Sequence, residues 1–308
     1  MNILGSGIVG FIFYLLTMVN VYGILSISLS FQAGVGGLSN FGHVAFFAIG
    51  AYVSTLVVVL GNVHFIFGVL GGFLAAGIFA LIISIPTRRL ESDYWAITTL
   101  GAAEIIRLFF LNESWIGTGT YSGGPFGIRG IPRPWEGLIP ADLYPMFYFA
   151  LTLIFLVLTY LVINHLTYSP FGRIMRAIRE DTDLPSSLGK NVFNNRVKTM
   201  VIGGGFAGIA GSLFAHYTTY IDPYFFMPLE TFIVWAMVIL GGKGNIKGAI
   251  LGTFAIQLIY SSTRFLSDYI PLNSQLLASL RMVVIGLIIV LVMLFMQKGI
   301  LQEEKRVY

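Results

Sequence analysis

FIFGVLGGFLAAGIFALIISIP, residues 65–86, carries no charged side chain. A helix needs about 20 mostly apolar residues to cross a bilayer, and this run supplies them in one piece. It lies inside a longer uncharged stretch, for no Asp, Glu, Lys or Arg occurs between Met1 and Thr87 and the first charge is Arg88. That stretch has room for about three or four spans. The whole chain repeats the pattern: 56% of its 308 residues are hydrophobic and only 10% are charged. A soluble protein so apolar could not cover its own surface, which excludes a soluble enzyme. A β-barrel would show short alternating segments of about 10 residues, and none is present. The fold class is all-α, a polytopic transmembrane helix bundle.

Apolar runs place spans at Val9–Ser28, Phe41–Gly61, Phe65–Pro86, Tyr94–Leu111, Tyr144–Ile163, Met200–Tyr217, Thr231–Leu240, Ala249–Ser261 and Leu277–Met296. This gives about eight to ten spans in one transmembrane domain over residues 1–308, with loops at 112–143 and 165–198. The N-terminus shows no basic region or cleavage signature and reads as a retained first span. The pieces at 231–240 and 249–261 are short and flank Gly241-Gly242-Lys243-Gly244-Asn245. Short segments interrupted by glycine read as broken or re-entrant helices lining a buried path. A similar break, Gly36-Gly37-Leu38-Ser39-Asn40-Phe41-Gly42-His43, lies near the start. Both have Gly-Gly, then a small residue and Asn, before an apolar helix, which hints at two related halves. Gly37, Ser39, Asn40, His43, Gly241, Gly242 and Gly244 are therefore candidate pathway residues.

Net charge is +4, and in a membrane protein basic residues report topology first, so the charge carries no argument for nucleic acid. The loop 165–198 holds Arg173, Arg176, Arg179, Lys190, Arg196 and Lys198. Placing it in the cytoplasm also puts Arg88, Arg89, Lys243, Lys247, Lys298, Lys305 and Arg306 inside, 13 of the 18 basic residues. The C-terminus is then cytoplasmic.

Within that loop, SPFGRIMRAIREDTDLPSSLGK spans residues 169–190. Phe171, Ile174, Met175 and Ile178 recur at helical spacing with basic residues opposite. Pro185 fits poorly inside that helix, whereas Thr182 or Asp183 can cap a new short helix that Gly189 ends. The pattern suits an ordinary basic connector with an interfacial helix, and equally a short rigid docking element. Glu104 and Arg107, three apart on one helix face, are expensive at membrane depth. A structural ion pair is favoured over contact with a substrate. GTGTYSGGPFGIRGIPRP, residues 117–134, is either a connector or a shaped outer surface. The shaped surface is preferred for its aromatic and proline content. Gly204 and Gly208, and Gly244, Gly248 and Gly252, are spaced for close helix packing.

The chain has no cysteine, no nucleotide-binding P-loop, no G-x-S-x-G, and four scattered histidines (His43, His64, His165, His216) without metal spacing. No catalytic and no metal-ligating residue is assigned, and no cofactor is expected on this chain. No ladder of intramembrane acids suggests a proton relay.

Several segments together resemble the permease subunits of branched-chain amino acid ABC importers, of the LivM type. They are residues 37–52, the Thr99–Arg107 run, Ser122-Gly123-Gly124 through Pro132, Phe171–Asp181 with Gly189, Ala207–Gly211, and Leu240–Gly244 with Gly248 and Gly252. They occur in the family's order over roughly residues 30–255. The resemblance implies a multi-pass cell-membrane subunit that works with a second, LivH-like permease subunit. It also implies two cytoplasmic ATPases using ATP and Mg, and an extracytoplasmic substrate-binding protein. It places an ATPase-coupling helix at Leu184–Gly189, led in by Arg176, Arg179, Glu180 and Asp181, with Leu184 and Leu188 as its apolar contacts. Leu184-Pro185-Ser186-Ser187 departs from the Ala-rich stretch usual there. The substrate implied is a branched-chain amino acid, with urea or a short amide as the alternative. A stand-alone channel or secondary carrier, and a subunit of a membrane enzyme, are the other classes considered.

Overall fold

A computed structural model describes residues 7–90, 92–113, 123–269 and 299–303, with scattered positions between 276 and 294. The first helix, α1, runs Gly7–Leu29 and widens into a π-helical turn at Ser30–Val35, all of it buried. Gly36 closes that turn by donating its N–H to the Phe31 carbonyl, and Gly37 then reverses the chain at φ +67°. Next come α2 (His43–Gly61), α3 (Phe65–Ser84), α4 (Ser92–Asn112) and α5 (Tyr144–Tyr168). After them lie α6 (Pro170–Glu180), α7 (Asp183–Ser187) and α8 (Val192–Thr218), and finally α9 (Pro228–Gly241) and α10 (Ile246–Tyr269).

The chain is a multi-pass membrane protein, and its packing is inverted relative to a soluble bundle. On α3, Gly68, Gly72, Ala76, Gly77 and Ala80 are buried while Phe67, Leu70, Leu74 and Ile78 face outward. Lipid solvates large apolar groups as well as protein does, so small residues take the interface, where backbones can close on each other. Gly50, Gly72, Gly208 and Gly211 join α2, α3 and α8 in this way. A Cβ on Gly50 would lie 2.1 Å from the Gly208 carbonyl oxygen, and one on Gly211 1.9 Å from that of Phe47. On α5 the buried stripe is Tyr144, Tyr148, Thr152, Leu156, Thr159, Ile163 and Thr167. Its threonines bond back to carbonyls three or four residues earlier, which removes their cost in an apolar setting.

Two of the runs expected as separate spans belong to one element. Among the described residues six helices are long and apolar enough to cross a membrane, and a seventh crossing is possible if a bent pair counts as one. That pair is α9 and α10, which turn by 120° across a break of four residues or fewer. The two short runs expected at 231–240 and 249–261 are thus arms of one broken element. The span expected at Leu277–Met296 lies outside the described residues. Part of the 165–198 loop is also helical, because α8 begins at Val192 with its N-cap at Asn191. In the 112–143 loop, Ile128–Arg129 forms a short antiparallel pair with Tyr220–Ile221, tying that loop to the end of α8.

Candidate functional site

The π-helical turn that leads into the first glycine break meets the second break, some 200 residues on in sequence. A Cβ on Gly34 would lie 2.4 Å from the Gly244 backbone nitrogen. No side chain fits between these backbones. Gly244 itself sits at φ +90° and Gly242 at φ +116°, where L-residues are strained. The asparagines play parallel parts, for Asn40 Oδ1 accepts the Gly42 N–H at 3.0 Å and Asn245 Oδ1 accepts the Gly248 N–H at 3.0 Å. The Asn245 bond caps the start of α10, whereas the Asn40 bond closes a tight turn just before α2, whose N-cap Gly42 has no side-chain cap.

Around the first break is a closed polar network that is wholly buried. Asn40 Nδ2 donates to Gln32 Oε1 at 2.8 Å and reaches His43 Nδ1 at 3.3 Å. Gln32 Nε2 donates to the Met200 carbonyl at 3.1 Å, and Trp235 Nε1 donates to the Asn40 carbonyl at 2.9 Å. Ser28 donates to the Leu25 carbonyl at 2.8 Å, so its oxygen is free to accept from His43 Nε2, also at 2.8 Å. With Nδ1 facing an amide donor and Nε2 facing acceptors, the network assigns a neutral imidazole protonated on Nε2. Thr99 and Thr231 accept the Phe41 and Val44 N–H groups. α1, α2, α4, α8 and α9 therefore all touch this break.

The basic loop packs on the same place. Arg179 donates to the Gly34 carbonyl, and its side chain lies over Gly37, where an added Cβ would come within 2.7 Å of Arg179 Cγ. Arg176 donates to the Thr167 carbonyl at 2.7 Å, so α6 is fixed to the end of α5 as well. Glu180 reaches Arg179 at 3.9 Å but is largely exposed. Asp181 Oδ1 accepts the Asp183 N–H at 2.8 Å and starts α7. Gly189 turns the chain out of α7 at φ +73°. Leu184 and Leu188 point away from the bundle, 60% and 71% exposed.

The structure thus brings Gly37, Asn40, His43, Gly241, Gly242, Gly244 and Arg179 to one junction. Ser39 is half-buried beside it. Glu104 and Arg107 stand apart: their bonds are to each other, at 2.9 and 2.5 Å within α4. The ion pair lies within one helix and not between two spans. Gln32, Thr99, Thr231, Trp235 and Glu303 belong to the junction and were not singled out from sequence. Gln32 had a signal, since an amide in an uncharged apolar run needs a partner. In the 112–143 loop, Arg129 lies over the Tyr220 ring at 5.6 Å. Partial burial, and then the Asp222 side chain, push that phenol above its ordinary range.

A family described as "Branched-chain amino acid transport system / permease component" matches residues 11–293. The permease protein LivM of a high-affinity branched-chain amino acid transport system from Salmonella typhimurium is 31% identical, over 92% of this chain and 68% of its own. The probable LivM of Methanocaldococcus jannaschii is 28% identical over 92% and 91%. LivH of Escherichia coli, also a permease protein of such a system, is 28% identical over 92% of each chain. No solved structure matches the chain. The match over residues 11–293 and the 31% identity over 92% of the chain show that it belongs to the branched-chain amino acid transport system permease family.

Proposed function

We propose that this chain is one of two permease subunits of an ATP-driven importer, and forms the membrane path for branched-chain amino acids. Its matches include both LivM and LivH proteins, which supports pairing with a second permease of the same fold. The loop 165–198 and the C-terminus face the cytoplasm of the cell membrane. The α6–α7 unit receives two cytoplasmic ATPases, which use ATP and Mg. The opposite face, with the 112–143 loop, receives a substrate-binding protein that delivers the amino acid. This chain performs no bond chemistry of its own.

One observation carries this proposal: the α6–α7 unit has an apolar tip in solvent and, at the end of α6 next to α7, an arginine on the point where both broken elements meet. A push on Leu184 and Leu188 passes through the Asp181–Thr182 turn to Arg179 at the end of α6, and from there to Gly34 and Gly37. A connector needs no exposed leucines, and a channel needs no external push. The test is uptake of labelled leucine by membranes carrying the complex, with and without the ATPase genes. Uptake should require the ATPases and be competed by isoleucine and valine. Uptake that persists without them would indicate a channel or carrier, and competition by urea or a short amide alone would move the substrate class.

A further inference from the structure

We infer that the segment Gly299–Glu303 is a clasp, and that Glu303 is the positioning residue that holds the basic loop on the two breaks. Its consequence for transport rests on the importer proposed above; the clasp itself does not.

α9 ends at Gly241, and the last carbonyls of a helix lack partners within it. Two of these are taken by the clasp, since the N–H groups of Ile300 and Leu301 donate to the Leu240 and Gly241 carbonyls at 2.8 and 3.0 Å. Asn245 Nδ2 donates to the Gln302 carbonyl at 2.8 Å. Gly299 enters at φ +68°, and a Cβ there would lie 2.3 Å from Gly242 Cα. The backbone of this segment is therefore seated on the second break over its whole described length.

Glu303 then reaches across to the other side. Its carboxylate lies 3.1 Å from Arg179 and 3.8 Å from Arg176, and it packs against Gly244, where an added Cβ would be 3.0 Å from its Cδ. Arg179 is the side chain that holds the Gly34 carbonyl. Lys243 adds another positive charge close to Arg179. Without Glu303 the junction would hold several cations facing a cluster of backbone. Glu303 thus links three chain-distant parts, α6, the first break and the second break. Glu303 and Arg179 are only about a quarter exposed, 25% and 24%, so the pair is less screened than a surface one.

The test uses the absence of native cysteine. Leu301→Cys, at a half-buried clasp position, reports release of the segment by its rate of thiol labelling in the detergent-purified chain. Adding Glu303→Gln, which keeps shape and removes charge, should raise that rate about fivefold, and Glu303→Asp should restore most of the protection. In the assembled importer, Glu303→Gln should co-purify with its ATPases as before. It should raise ATP hydrolysed per leucine imported about fivefold, again rescued by Glu303→Asp. An unchanged labelling rate overturns the clasp. Faster labelling with an unchanged ATP-to-leucine ratio leaves it a mere structural brace and overturns its positioning role. If even the native complex shows no ATPase-dependent uptake, the importer proposal fails, and the labelling arm still decides the clasp.

Discussion

Replacing Leu184 and Leu188 together by alanine should disconnect this chain from the ATPases without unfolding it. Both side chains lie on the outward side of the α6–α7 unit, 60% and 71% exposed, so their loss removes little internal packing. Fully burying a leucine is worth about 1.5–3 kcal/mol. The fraction still available for burial at a partner surface makes the pair worth about 2–4 kcal/mol, or a loss of affinity of roughly 30-fold to several hundred-fold. Leu188→Asp alone should do comparable harm, because it places a charge in a contact suited to an apolar group. The assay is co-purification of tagged ATPase with the permease, together with ATP-dependent leucine uptake, at matched membrane expression. Both should fall together. The same substitutions at Leu158 and Leu161, which face outward on α5, should spare ATPase binding. Full association and full uptake in the Leu184/Leu188 double mutant would refute the docking role of α7.

The orientation is checked in the cysteine-free chain with Lys190→Cys and Leu138→Cys, the latter at a position 79% exposed in the 112–143 loop. A membrane-impermeant thiol reagent applied to intact cells should label position 138 and spare 190, and the reverse pattern would invert the topology. Gly37→Ala and Gly242→Ala, at φ +67° and +116°, should each cost about 1–3 kcal/mol and cut uptake more than tenfold. Gly101→Ala, with nothing within 4 Å of its added Cβ, should be neutral or stabilise α4 by up to about 1 kcal/mol; equal defects at all three sites would make the glycines generic helix spacers.

How legible all this was in the sequence depends on the range of the interactions. Long apolar runs specify spanning helices by their own solvation, so α1 to α5 and α8 follow from local composition. The glycine breaks were visible because a backbone reversal leaves a local chemical mark. Their contact was not visible: that Gly34 meets Gly244 depends on how α1, α9 and α10 pack, and no residue near Gly34 announces it. Glu303 was hidden for the same reason, since an acid among the basic residues after Lys298 reads as solvated tail until Arg179 is placed beside it. Two runs read separately are arms of one element, because hydropathy cannot tell two short crossings from one element bent by 120°.

The distribution of close glycine contacts also says which parts of the bundle can move. Between α2, α3 and α8 the contacts are backbone to backbone over several turns, from Gly50 with Gly208 to Gly72 and to Gly211 with Phe47. Packed interiors shift between discrete arrangements and do not compress, and an interface with backbone on both sides over such a length has no small step available to it. This trio is the frame. α9 and α10 close on each other backbone to backbone, through Gly241 with Gly248 and Gly252, and are tied to α1 by side chains, Tyr22 to Glu230 and Ser26 to Met237 and Thr253. Side-chain contacts can be exchanged where interlocked backbones cannot, so the bent pair, and not the frame, is the part able to shift. Arg179 and the Gly299–Glu303 segment both bear on the junction of the breaks. A displacement of α6 by the length of one hydrogen bond would break the Arg179 contact with Gly34 while leaving the frame intact.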